Sequence, residues 1–362
     1  MEKKGISEEA VAVLTTTGAA MLVAEIESKN IIRKLNVGPG TGTGRRKKLP
    51  PLEPVDKVLE WKQAGGSVFR NKTGFTYPEF RSLFRMVEPE LTAPRDQRNT
   101  PKPPTGKGAG RKRKITPENE LAMCLYWLRH APLISDVGPD FGYRRANESL
   151  KHTVAVLLLA LKHLIRFPSK EEQAELRDLE AWPPFKGAVG AGDGTYSQET
   201  RKKGDYSGHR GMFVRNAQVS TATTLALTRR HCLCASQVIV AVTGRIIYVR
   251  SGLPGSQGDA QQLLDGSILE AIDKESVILA DSAYANLPGV LAAGSPEARE
   301  HVKEFTRWRS RVEHLFAVLK GNFHILAVKW HAPAALVTQS QAFYASCLLY
   351  NLKFDFGHFK PR

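Results

Sequence analysis

The sequence predicts an α/β protein: a domain built on a mixed β-sheet, preceded by an all-α region of helix-turn-helix outline. Three observations carry this. Up to about residue 182 the apolar residues recur at helical spacing. From Gly187 they gather into short apolar runs, and two of these are joined by Thr243-Gly244 as a hairpin. Beyond the hairpin, strand and helix patterns alternate. A chain of 362 residues with 42% hydrophobic content can bury a large core and is longer than one typical domain.

Residues 1–115 read as a largely flexible, basic N-terminal region carrying short helices. One helix is expected around residues 8–35. "NVGPGTGTGRRKKLPPLEP" and "TAPRDQRNTPKPPTGKGAGRKRK" read as linkers, because their glycines and prolines exclude packed elements. Between them, Phe80, Leu83, Phe84 and Val87 share one helical face. The second linker ends in Arg111, Lys112, Arg113 and Lys114, a cluster suited to phosphate contacts or to a nuclear address and equally to a solvated charge run.

Residues 116–182 read as the helix-turn-helix-like region. Thr116 is a natural N-cap before Pro117 and Glu118, and Leu121, Leu125 and Leu128 form the apolar stripe behind it. A short helix, a turn at "GPDFGY" and a long helix through "VAVLLLALKHLI" follow. Arg144, Arg145, Asn147 and Lys151 near the start of that helix are candidates for DNA contact, although many helical bundles share this outline.

Residues 185–362 read as the sheet domain. "GAVGAGD" is a strand candidate, "SVILAD" a buried strand, and "HVKEFTRWRSRVEHLFAVLKGNF" a long helix whose Val312, Phe316, Leu319 and Phe323 face the core. Gly187, Gly190, Gly192 and Gly194 do not make a dinucleotide loop, because no helix opens after them.

The chain carries 52 Lys and Arg against 36 Asp and Glu, a net charge of +16. Such an excess points to a polyanionic partner. The longest apolar run is too short to span a bilayer and contains Lys162 and His163, so nucleic acid is the expected partner rather than a membrane. Cys124, Cys232, Cys234 and Cys347 include no CxxC pair, which argues against a zinc site or a disulfide framework.

Three acids stand where chemistry can use them. Asp193 and Asp281 each end a buried strand, and Glu313 lies in the long helix in a row with Arg309, Ala317 and Lys320. Carboxylates gathered above a sheet edge repel one another, and a divalent ion such as Mg²⁺ relieves that repulsion. Such ions activate water and stabilise the leaving oxygen of a phosphodiester. Lys320 is placed to hold a phosphate. Acids at strand ends are also common as plain turn residues.

At these positions the chain resembles the transposases of PIF/Harbinger elements, of the DDE superfamily endonuclease type. The matching segments, in order, are "GAGDGTY", "YSGHR", "QVIVAVTGRIIYV", "GLPGSQGDAQQL", "LADSAY" and "RSRVEHLFAVLKGNF". The resemblance implies an RNase H-like catalytic domain in which Asp193, Asp281 and Glu313 hold Mg²⁺ or Mn²⁺, with Asp259 supporting the site. It implies a nuclear protein acting on DNA, with a Myb-like DNA-binding partner in some elements, and leaves oligomerisation open. Gly258, Ala317 and Asn322 stand where the family has histidine, glycine and arginine, and none of these changes removes a carboxylate. Residues 211–230 have no counterpart in the family pattern. They read as a translated, unspliced intron or as a genuine surface insertion. The expected activity is metal-dependent phosphodiester hydrolysis, with strand transfer as a following step. The competing expectation is a catalytically inactive, domesticated transposase that binds DNA.

Overall fold

The computed structural model describes residues 52–53, 55–93, 114–178, 184–200, 206–207, 212–213, 231–254, 259–264, 268–328 and 337–359. The helix expected at residues 8–35, the cluster Arg111 to Arg113 and most of 211–230 lie outside them. Helices α1 (Lys57–Gln63), α2 (Gly66–Thr73) and α3 (Tyr77–Thr92) come first. Phe80, Leu83, Phe84 and Val87 of α3 are all buried, as their spacing requires. Glu79 accepts from the Thr76 backbone N–H at 2.7 Å and completes a capping box. Next are α4 (Pro117–His130), capped by the Thr116 hydroxyl, then α5 (Ile134–Asp140) and α6 (Ala146–Ala160). The turn before α6 depends on Gly138: a Cβ there would lie 2.5 Å from the Tyr143 carbonyl oxygen. A further helix, α7 (Lys170–Asp178), leads to the sheet.

The sheet strands are β1 (Ala188–Thr200), β4 (His231–Ala241), β5 (Ile246–Pro254), β6 (Val277–Ala280) and β7 (Val290–Ala292). Their order is β5-β4-β1-β6-β7. β1 runs antiparallel to β4 and parallel to β6, so the sheet is mixed and β1 lies at its centre. β4 begins at His231 and pairs with β1 without interruption from Gly190↔Ala241 to Thr200↔His231. The ladder therefore resumes directly after the 211–230 segment. Within that segment β3 (Met212–Phe213) is described, paired with β2 (Tyr206–Ser207). Short helices α8 (Asp259–Leu264) and α9 (Ile268–Ala271) lie between β5 and β6.

One sheet face packs Val189, Ile239, Ile247 and Ile278 against Leu263 and Ile268 of the short helices. The other packs Ala191, Val238, Val240 and Leu279 into a large core shared with the helices. That core is continuous from Val58 to Leu352, so α1–α6 and the sheet are joined by one apolar interior. It also takes in α11 (Val302–Asn322), which follows the short α10 (Pro296–Glu300), and α12 (Gln339–Asp355). Val312, Phe316, Leu319 and Phe323 are buried there. Among the described residues no helix is long and apolar enough to cross a membrane.

β5 is an edge strand, and α12 protects its exposed edge. The fully buried Asn351 amide accepts from the Ile246 N–H at 3.0 Å and donates to the Ile246 and Leu164 carbonyls at 2.7 Å each. It thus acts as a one-residue strand partner. Replacing Asn351 by Leu strands three backbone groups and is expected to cost about 3 kcal/mol or more, measured as a lowered urea unfolding midpoint.

Two residues along α12, Lys353 is 3% exposed. Its ammonium donates to Asn322 Oδ1 at 3.0 Å and lies over the rings of Phe75 and Phe323. Burial, reinforced by Arg129 and Arg70 against the opposing pull of Glu79, lowers its pKa from 10.5 to about 8. The unfolded chain then binds more protons than the folded chain between those values, so this group adds stability as pH rises from about 8 towards 10.5. Unfolding midpoints of the unaltered chain and of Lys353→Met, compared at pH 7 and pH 10, are expected to shift in favour of the unaltered chain at the higher pH.

Candidate active site

Asp193 and Asp281 reach the same sheet face for a simple geometric reason. The parallel ladder of β1 and β6 pairs Gly190 with Ile278 and Ala191 with Leu279. Two residues further along each chain stand Asp193 and Asp281. Side chains alternate across a strand, so both acids follow Ala191 and Leu279 to the helix-covered face. Adjacent strands are about 4.8 Å apart, which brings Asp193 to the level of Asp281 where β6 ends. Asp193 does not end its own strand as its sequence context suggests, because β1 continues to Thr200 in its pairing with β4.

The glycines of β1 explain the blandness of the run before Asp193. Gly190 and Gly192 face the opposite side, under Ile239. A Cβ at Gly190 would lie 2.7 Å from the Val240 carbonyl oxygen, and one at Gly192 would lie 3.3 Å from Ile239 Cγ1. Gly187, at φ +86°, turns the chain into the strand, where a Cβ would meet the Glu275 carbonyl oxygen. A register irregularity between Ala188 and Gly190 then sets the pairing that carries Asp193 to its level.

α11 crosses this face. Arg309, Glu313 and Lys320 form one row on it, with contacts to the strands at both ends. At one end Arg309 approaches Asp281 Oδ1 at 3.5 Å through one guanidinium nitrogen and Glu313 Oε1 at 3.3 Å through the other. At the other end Lys320 Nζ donates to Thr195 Oγ1 at 3.5 Å. Thr195 lies two residues beyond Asp193 on the same face. Ala317, between Glu313 and Lys320, is exposed and leaves open space. Asp281 is 40% exposed and Glu313 61%, so solvent and substrate can reach both.

Each aspartate also accepts from the backbone N–H that follows it: Asp193 from Gly194 at 2.7 Å, Asp281 from Ser282 at 2.6 Å. Asp281 is the N-cap of a short 3₁₀ turn and takes the Ser282 hydroxyl as well, at 3.2 Å. Among the described residues no three of His, Cys, Asp and Glu close to metal-ligating distance. The acids are thus gathered on one side of the sheet, and Asp281 and Glu313 share a cation, but the three do not meet at one point. Their donor chemistry, carboxylate oxygens alone, suits Mg²⁺ or Mn²⁺.

The other residues singled out from the sequence are spread more widely. Asp259 opens α8, and its side chain lies outside the described residues. Lys114 is exposed ahead of α4. Arg144 and Arg145 are exposed at the start of α6, and Arg145 pairs with Glu148 at 3.4 Å. Lys151 is only 9% exposed, on the side of α6 turned into the helical core, and burial lowers its pKa. Arg311 is held over the Trp308 ring at 3.8 Å and donates to the Val242 carbonyl, so it anchors α11 to the hairpin. Sequence reasoning noted Arg309 in the row with Glu313 but not its bridge to Asp281. Its i, i+4 spacing from Glu313 was the available signal.

Residues 214–351 match the family model described as DDE superfamily endonuclease. The matched span contains Asp259, Asp281, Glu313 and Lys320 and begins after Asp193. This match supports a DDE transposase-derived nuclease. No curated protein and no solved structure matches the chain.

Asn in place of Asp281 still accepts the Ser282 N–H and still caps the turn. Asp281→Asn is therefore expected to change unfolding free energy by less than about 1 kcal/mol, measured by urea denaturation, so that any loss of activity reports on chemistry rather than on folding.

Proposed function

We propose that this chain is a metal-dependent DNA endonuclease and transposase of the Harbinger type, with an RNase H-like catalytic domain, acting on DNA in the nucleus. The observation that carries this reading is the arrangement where β6 ends. Asp193 and Asp281 each stand two residues beyond the paired Ala191 and Leu279 of adjacent parallel strands, and the helix crossing this face links Glu313 to Asp281 through Arg309. The match to a DDE superfamily endonuclease model over residues 214–351 supports it, and so does the mixed sheet with β1 at its centre.

In this reading Asp193, Asp281 and Glu313 hold Mg²⁺ or Mn²⁺. Such an ion, once bound, supplies Lewis acidity for attack on phosphorus and charge for the leaving oxygen. The chain's own residues do the rest. Lys320 turns from Thr195 to a phosphate oxygen of the substrate, and exposed Ala317 leaves room for the backbone between Glu313 and Lys320. Water attacks first and releases a DNA 3′-hydroxyl, and that hydroxyl is the nucleophile for strand transfer. The net charge of +16 supplies sequence-independent attraction to phosphates. The exposed Arg144 and Arg145 at the start of α6, with Lys114, extend the contact surface. A Myb-like partner and self-association remain part of this proposal through the family resemblance alone.

Supercoiled plasmid incubated with the full chain and Mn²⁺ or Mg²⁺ is expected to convert to nicked circles. Asp281→Asn is expected to slow this about a hundredfold or more, measured by gel densitometry. Equal conversion by both proteins sinks the nuclease reading. DNA retention without nicking by the unaltered chain supports the catalytically inactive, domesticated form.

A further inference from the structure

Among the described residues, Arg309 lies between two of the proposed metal-holding acids, Asp281 and Glu313. Its guanidinium spans Asp281 and Glu313 with single contacts of 3.5 and 3.3 Å, longer than the 2.7–2.9 Å expected of a charge-assisted hydrogen bond. It does not fork onto either carboxylate. Its third nitrogen, Nε, is buried and has no hydrogen-bond partner. An unsatisfied buried donor carries a desolvation cost. The side chain therefore holds both acids at once by forgoing good geometry with each.

We propose that Arg309 is a built-in counter-cation, which keeps Asp281 and Glu313 together in the metal-free protein and is displaced from between them when a divalent ion binds. The inference rests on the metal-dependent reading above. Two carboxylates on different elements, one on a strand end and one on a helix, repel each other unless a positive charge lies between them. A single guanidinium does this with one charge and long contacts. A divalent ion does it with two charges and shorter bonds. The two cations compete for the same oxygens, so metal affinity is set by the difference between them. Arg309 is 26% exposed, which leaves its guanidinium a path outwards, and its Nε gains solvent when it leaves. Arg311, two residues on, has no such freedom, because it is stacked on Trp308 and tied to Val242.

The test is Mn²⁺ binding by the full chain, measured by isothermal titration calorimetry, for the unaltered protein, Arg309→Met and Arg309→Lys. Loss of the competing charge in Arg309→Met is expected to tighten Mn²⁺ binding about tenfold, which corresponds to about 1.4 kcal/mol. Arg309→Lys keeps the charge but not the planar fork, and is expected to bind about threefold more tightly than the unaltered chain. Without metal, Arg309→Met is expected to melt at a lower temperature than the unaltered chain, and saturating Mn²⁺ is expected to close that gap. Equal or weaker Mn²⁺ binding by the variants overturns the proposal, and does so from Arg309→Lys alone if Arg309→Met does not fold. If that equality is found in a chain that nicks DNA with Mn²⁺, the nuclease reading stands and only the role of Arg309 falls. Absence of Mn²⁺ binding in all three folded proteins overturns both.

Discussion

The parallel ladder between β1 and β6 places Ala191 beside Leu279, and two residues further along each chain stand Asp193, still within β1, and Asp281, just past the end of β6. The arrangement of the site follows from that register. A slip of one residue in either strand would send its acid to the opposite face, into the apolar layer of Val189, Ile239 and Ile278. Close packing holds the register. Gly190 and Gly192 admit Ile239 and the Val240 carbonyl to distances that any Cβ would contest, and Gly187 sets the entry into the strand. The small residues of β1 are thus the means by which one carboxylate is delivered to a defined height on one face.

The third acid arrives by a different route. α11 is fixed over the sheet by its apolar stripe and by Arg311 on the hairpin, and the row through Arg309, Glu313 and Lys320 is then turned to Asp281 and to Thr195 of β1. The sheet itself is held to the helices by α12, whose Asn351 occupies the open edge of β5 and whose Lys353 is buried beneath Phe75 and Phe323. These buried polar groups are costly unless fully partnered. Their placement at the joint between helical layer and sheet ties the two into one body, with a core running from Val58 to Leu352.

Much of the fold was legible in the sequence. The capped start of α4, the apolar face of α3, the hairpin at Thr243-Gly244, the strand of "SVILAD" and the stripe of α11 all rest on local rules of period and turn chemistry, and the structure has each of them. The row through Glu313 was legible for the same reason, since helical spacing sets it. Lys151 shows where local reading stops. A lysine near the start of a helix reads as surface, yet α6 is packed among α3, α4 and α12, and its side chain is buried. Residues 211–230 have no counterpart in the family pattern, yet β4 starts beyond them and pairs with β1 from Gly190↔Ala241 to Thr200↔His231.

Periodicity, turn residues and charge are properties of neighbouring positions, so the sequence by itself determined most elements of this protein, the apolar runs that lead to Asp193 and Asp281, and the basic character of the chain, but not that β1 runs on past Asp193 to Thr200. Only the tertiary structure decided which acids share a cation. It set Arg309 between Asp281 and Glu313, stretched Lys320 to Thr195, and gave Asn351 to the edge of β5. Each of these joins residues on different elements. Their distances depend on sheet register and on the seating of α11 and α12, and those are settled by packing across the whole core rather than by any local run of residues.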